Sequence, residues 1–330
     1  MKKRIVKTGH HFSTSETEKD GHKAKRDGRE AAQRHTGNLS PKRSATQTNE
    51  TDRQEDKMSA DVSFEATFKR VMKACEEGDI ETVRRFADNS IIDAKDELGL
   101  TPLMVACAND HLAITQILLN RGGNMEIRNQ GGWTSLFIAC HNGHQEIARH
   151  LLDRGANIEA KNLEGRTPLM VACEKGHQHV AALLLERGAR IEAQDPEGKT
   201  CLMIASENGH DSVVRLLIKS GALIEAKTAD QSTALMFACW NGNESVARHL
   251  VERGAQIEAV EKNGWSPLRI ACRWNHEMTA RFILEVGYLI QNRNEAEAVS
   301  NNRLSFAEIK RLVLGLRSES LSLSLSISLS

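Results

Sequence analysis

No apolar run in this chain reaches the length that a bilayer requires, and no apolar core follows the basic opening Met1-Lys-Lys-Arg4. Neither a membrane span nor a secretory leader is expected. The chain reads as cytoplasmic, with nuclear entry the alternative that its basic runs offer. Net charge is absent too, since 44 Lys and Arg face 44 Asp and Glu. Seven cysteines are present but no Cys-x-x-Cys pair, so a zinc cluster has no starting geometry. No Ser/His/Asp group, paired carboxylate or metal-ligand constellation stands out. The expectation is a chain that is not an enzyme and holds neither metal nor cofactor.

The chain does contain a strict repeat. A Thr or Ser followed two residues later by Leu occurs at Thr101, Thr134, Thr167, Thr200, Thr233 and Ser266, 33 residues apart each time. Gly122, Gly155, Gly188, Gly221, Gly254 and Gly287 keep the same interval. A fixed period of this size marks a solenoid, in which one small unit stacks on copies of itself. Residues 162–194 show that the unit is a helix pair. Thr167 is a helix cap, and Pro168 at the first helical position costs no hydrogen bond. Leu169, Met170, Ala172 and Cys173 follow at helical spacing. Gly176 ends that helix, and a second begins near His177 with Val180, Ala181, Leu183 and Leu184 on its buried face. Gly188 suits the left-handed residue that closes many helices, and Ile191-Glu-Ala leads into a short hairpin. Such a unit is too small to bury its own apolar stripe, so its neighbours must cover it.

The pattern Gly-x-Thr-Pro-Leu-x-x-Ala-x-x-x-Gly-His, then a Leu-Leu pair, then Gly-Ala resembles the ankyrin repeat. The resemblance covers residues 96–293 as six full units and extends weakly to about residue 64. It implies an all-α fold: an ankyrin-repeat solenoid of helix-turn-helix units joined by short β-hairpin loops. The chain departs from the family in three places. His usually stands three residues after the Thr; here that column holds Met104, Phe137, Met170, Met203, Met236 and Arg269, so thioether and aromatic packing replace its hydrogen bond. Gln231 takes the place of a hairpin Gly, which leaves the conformation of that turn open. Tyr288 replaces the small residue after Gly287, as altered packing at a terminal unit would require.

Five segments follow: a basic tail without fixed structure at 1–60, a degenerate capping repeat at 61–95, six repeats at 96–293, a C-terminal capping helix at 294–317, and a low-complexity tail at 318–330. Residues 1–57 hold 14 Lys and Arg against 9 Asp and Glu and almost no large apolar residues, too little to offset chain entropy. The rest is left with 30 basic and 35 acidic residues, which counts against nucleic-acid binding. Phe64, Phe68, Val71, Met72 and Cys75 share one helical face, followed by a stripe through Val83 and Phe86, as a first cap needs. Ser305-Phe-Ala-Glu308 reads as a capping box opening a lid helix through Ile309, Leu312 and Val313. The alternating Leu and Ser of 318–330 have strand periodicity, yet a CT dinucleotide repeat in DNA also translates as Leu-Ser in every frame.

Cys107, Cys140, Cys173, Cys239 and Cys272 fill one repeat column, where equivalent atoms lie about 10 Å apart, beyond the roughly 7 Å that a disulfide tolerates between Cα atoms. They read as buried, reduced packing residues. Ala193-Gln-Asp-Pro-Glu-Gly198-Lys199-Thr200 resembles a relaxed phosphate-binding loop. Ala193 stands where such a loop needs Gly, however, and Gly198 and Thr200 are repeat markers, so no nucleotide is expected.

Function must lie in positions that the repeat leaves free. Just before the Thr stand Leu100, Trp133, Arg166, Lys199, Ser232 and Trp265. Seven residues after it stand Ala108, His141, Glu174, Glu207, Trp240 and Arg273; eight after it stand Asn109, Asn142, Lys175, Asn208, Asn241 and Trp274. All four tryptophans fall in these three columns. The resemblance implies that the columns line a concave groove. The expected partner-binding residues are Trp133, His141, Arg166, Glu174, Lys199, Glu207, Trp240, Trp265, Arg273 and Trp274. Trp240, Trp265 and Trp274 form an aromatic cluster flanked by Arg269 and Arg273, unless Trp265 and Trp274 pack on the lid helix instead. The expected activity is that of a monomeric adaptor binding a protein or peptide. The alternative is the regulatory or substrate-recognition part of a larger enzyme or ubiquitin-ligase assembly.

Overall fold

The computed structural model describes residues 48–291 and 306–314. The chain divides into two units, Met1–Gln54 and Glu55–Ser330. Of the first, only the helical residues 48–54 are described, and the account below concerns the second. Ser305 of the capping box, the side chains of Glu308 and Tyr288, and the Leu/Ser tail lie outside the described residues. Helix α1 spans Thr48–Glu77, so residues 48–60, expected to lack structure, are helical. That stretch contains no Pro or Gly to break a helix and several strong helix formers. The first cap is then completed by α2 (Ile80–Phe86), whose N-terminus is held by Asp79 Oδ1 accepting from the Thr82 amide at 3.0 Å.

Each repeat opens on its cap. Thr101, Thr134 and Thr167 sit in extended backbone and accept the amide hydrogen three residues on, and Ser266 does the same for Arg269. From these caps and their counterparts Thr200 and Thr233 run the first helices: α3 (Pro102–Ala108), α5 (Ser135–Asn142), α7 (Pro168–Glu174), α9 (Cys201–Glu207), α11 (Ala234–Trp240) and α13 (Pro267–Arg273). The second helices are α4 (Leu112–Asn120), α6 (Gln145–Asp153), α8 (Gln178–Glu186), α10 (Asp211–Lys219), α12 (Glu244–Glu252) and α14 (Glu277–Gln291). First helices pack on first helices along the stack, and second helices on second helices behind them. One column of buried side chains, Leu118, Leu151, Leu184, Leu217 and Leu250, threads the second layer. Each such burial stabilises the fold by about 1.5–3 kcal/mol. Helix α15 (Phe306–Leu314) lies on α13, with Ile309 buried and Lys310 donating to Asn275 Oδ1 at 2.6 Å.

The column that replaces the family's His is buried wherever it holds Met or Phe. In two units the thioether takes a polar part as well, the Met170 and Met203 sulfurs accepting from the Thr167 and Thr200 amides at 3.4 and 3.5 Å. The described residues contain no strand, so the expected hairpins are turns instead, closed by bonds such as Asn162 N to Arg166 O at 3.0 Å. Gln231 holds φ at 66°, the left-handed conformation of the glycines at its equivalent positions. The turn is kept at a steric cost, and Gln231→Gly is expected to raise unfolding free energy by about 0.5–1 kcal/mol, read as a higher Tm.

Histidines tie one repeat to the next. The Nε2 atoms of His111, His144, His177, His210 and His276 each face a carbonyl of the preceding repeat, at 2.8–3.2 Å. A carbonyl only accepts, so each Nε2 carries the hydrogen. At the same position Asn243 donates to the Ser206 and Glu207 carbonyls at 2.8 and 2.9 Å. Burial lowers the pKa of His177 from the ordinary 6.5, against the opposing hydrogen bond to His141 O. The folded chain thus binds this proton less readily than the unfolded one. Its contribution is full above pH 6.5 and is lost as pH falls through the lowered folded value. His177→Asn, which keeps the inter-repeat donor, is expected to lose less Tm than the parent between pH 7.5 and pH 5. An equal loss in both would remove His177 from the acid response.

Candidate functional site

The three variable columns occupy the turn tips and the first helices. The column before the Thr and the column seven after it are not independent, because their members touch within a repeat. Trp133 lies 4.9 Å from the His141 ring and 4.9 Å from Phe137, between centroids. Arg166 binds Glu174, which also takes Lys175 at 2.8 Å. Lys199 binds Glu207 at 3.0 Å and Glu197 at 3.2 Å, with its ammonium 5.0 Å from the centre of the Phe237 ring. The groups eight residues apart thus form a ring pair in one repeat and ion pairs in the next two. Two short helical turns bring them together: the residue before the cap leans back over the end of its own first helix.

The electrostatics follow from this pairing. Burial alone would lower the Lys199 pKa, but the hydrogen bond and charge of Glu207 outweigh it and the pKa is raised. Burial, then the positive charge of Lys175, lowers the pKa of His141, so that ring is neutral near pH 7. Its Nε2 is buried without a partner. These residues are largely satisfied by the chain itself.

Repeats five and six differ. Ser232 holds the place eight residues before Trp240, with no long side chain to pair with it, and Trp240 stands 41% exposed. It stacks on Trp274, itself 48% exposed, with ring centroids 5.7 Å apart and planes 23° apart. The expected cluster of three tryptophans is therefore a pair. Trp265 is half-buried against the core, with the Arg269 guanidinium 5.5 Å over its ring. Arg269 is exposed where the equivalent Met and Phe side chains are buried. Arg273 is exposed beside Trp274.

Sequence reasoning treated the columns singly and so missed Phe137, Phe237 and Lys175 as partners of the variable residues. It also missed that Cys201, outside the cysteine column, meets Cys173. All seven cysteines are free and buried. Burial pushes the Cys107 thiol up to about 12, and a bond to the Cys173 thiol, with burial, raises Cys201. Among the described residues no group of three or more His, Cys, Asp or Glu is placed to hold a metal, and no helix is long and apolar enough to cross a membrane.

Comparison with known proteins agrees with this geometry. A family model described as "Ankyrin repeats (3 copies)" matches residues 71–162, 156–228 and 222–294. The crystal structure of the ankyrin repeat domain of Bcl-3, described as a unique member of the IkappaB protein family, is similar at 31% identity and a TM-score of 0.55, covering 61% of this chain and 93% of that one. No curated protein matches the chain. With its caps, helix pairs and glycines recurring in register through the matched residues, this chain belongs to the ankyrin repeat family.

Proposed function

We propose that this protein is a non-enzymatic adaptor that binds a partner protein through the face formed by its first helices and turns, with the strongest contacts in repeats five and six. Ankyrin repeats are in general protein-interaction modules. The observation that carries the reading is the stacked, exposed pair Trp240 and Trp274. Two indoles held in contact on a surface are pre-ordered, expose apolar area to water and gain from being covered. The paired residues of repeats two to four, Trp133 with His141, Arg166 with Glu174 and Lys199 with Glu207, extend the face with a polar, self-neutralised surface. Residues of this kind exclude water and set register around a hot spot rather than supply affinity.

The test is capture of interacting proteins by the full chain and by Trp240→Ala/Trp274→Ala, with folding of both checked by thermal melt. Partners lost from the double variant alone are expected. Partners held equally by both would move the binding surface to another face.

A further inference from the structure

We infer that repeats five and six receive an acidic, extended segment of another protein, its carboxylates on Arg269 and Arg273 and an apolar or aromatic anchor on the Trp240–Trp274 pair. This rests on the groove reading above and narrows its partner to one chemistry.

Charge bookkeeping along the face carries the inference. Arg166, Lys175 and Lys199 all have carboxylate partners within the chain. Arg273 is the charged member of the three columns that has none among the described residues, and Arg269, one helical turn earlier, has none either. Residues at this spacing share one face of α13, where like charges repel each other. The C-terminal end of a helix compensates Arg273 in part, but not Arg269 in the first turn. The fold therefore holds two exposed guanidiniums together without the compensation it provides elsewhere on the same face. A local rule broken without internal gain points to a ligand.

Guanidinium and carboxylate match in planar, two-pronged geometry, and Arg269 already lies over an indole that orders it. The stacked indoles beside Arg273 supply the apolar half of the site. A segment presenting Asp or Glu around one large apolar residue meets both halves at once. The chain's own basic residues 1–57, with 14 Lys and Arg against 9 Asp and Glu, have the wrong sign to fill this place.

The experiment is selection of a random peptide display library on the immobilised full chain, on Arg269→Glu/Arg273→Glu and on Trp240→Ala/Trp274→Ala. The substituted side chains are exposed, and melting curves verify that each variant is folded. The parent is expected to enrich peptides with Asp or Glu flanking an aromatic or large aliphatic residue. Charge reversal is expected to weaken these at least roughly tenfold and to select Lys- or Arg-bearing peptides in their place. Enriched peptides that are not acidic but are lost on Trp240→Ala/Trp274→Ala would overturn the acidic inference and leave the groove reading standing. Peptides indifferent to both sets of substitutions would overturn both. A parent that enriches no peptide would overturn the inference of a linear segment.

Discussion

Gly176→Ala is expected to lower the unfolding free energy by about 2–4 kcal/mol, one of the largest effects open to a single methyl group in this chain. Gly176 has φ at +75°, and a Cβ placed there would lie 2.6 Å from His210 Nδ1 and 2.8 Å from Cε1. That ring belongs to the next repeat and bonds through Nε2 to Glu174 O at 2.8 Å. The methyl group would either displace the imidazole and break the inter-repeat bond or shift the turn that starts α8. Gly188→Ala separates the two causes. Its φ is +87°, but nothing lies within 4 Å of the added Cβ, so only the backbone cost of about 1 kcal/mol is expected. Thermal or urea unfolding of both variants measures the difference. Equal losses would show that the histidine contact adds nothing.

Trp240→Ala/Trp274→Ala is expected to weaken partner binding by more than about 2 kcal/mol, roughly thirtyfold in Kd, because exposed, pre-ordered tryptophans dominate interfaces of this kind. Stability should change far less. Loss of a stacked pair costs about 0.5–1.5 kcal/mol, and both rings already meet water. Trp265→Ala should behave in the opposite sense, since its ring packs against the core and is only partly accessible. It is expected to cost more in Tm than in affinity. Titration of a captured partner, set beside melting curves of the same proteins, checks both halves. A double variant that binds as the parent does would remove the pair from the interface.

The residues that make each repeat were legible in the chain because they act locally. Thr167 before Pro168 is a cap whatever lies around it, and the spacing of Val180, Ala181, Leu183 and Leu184 names the buried face of α8 without reference to a neighbour. Part of the candidate site was legible by contrast: Trp240 stands in a column that elsewhere holds Ala, His, Glu and Arg, so the repeat does not require its size, and its ring stays 41% exposed. The pairing of Arg166 with Glu174 was not, since residues two helical turns apart meet only when their side chains reach along the helix toward each other, which spacing alone does not decide. The division of the tryptophans was hidden for a related reason. Trp240 stacks on Trp274 of the next repeat and Trp265 turns onto the core, contacts that the sequence of one repeat does not contain.

The amino-acid sequence by itself determined the helix pair, its length, its caps and the stacking of copies, because the 33-residue period repeats one local solution and a solenoid needs only nearest neighbours to bury it. The tertiary structure alone decided what the free positions do. It placed each histidine on the preceding repeat's carbonyl, held Gln231 in the left-handed turn of its glycine counterparts, and neutralised the charges of repeats three and four. It left Trp240, Trp274, Arg269 and Arg273 exposed in repeats five and six. Those outcomes depend on side chains meeting across a turn or between repeats, at separations where local propensity has no influence and packing chooses.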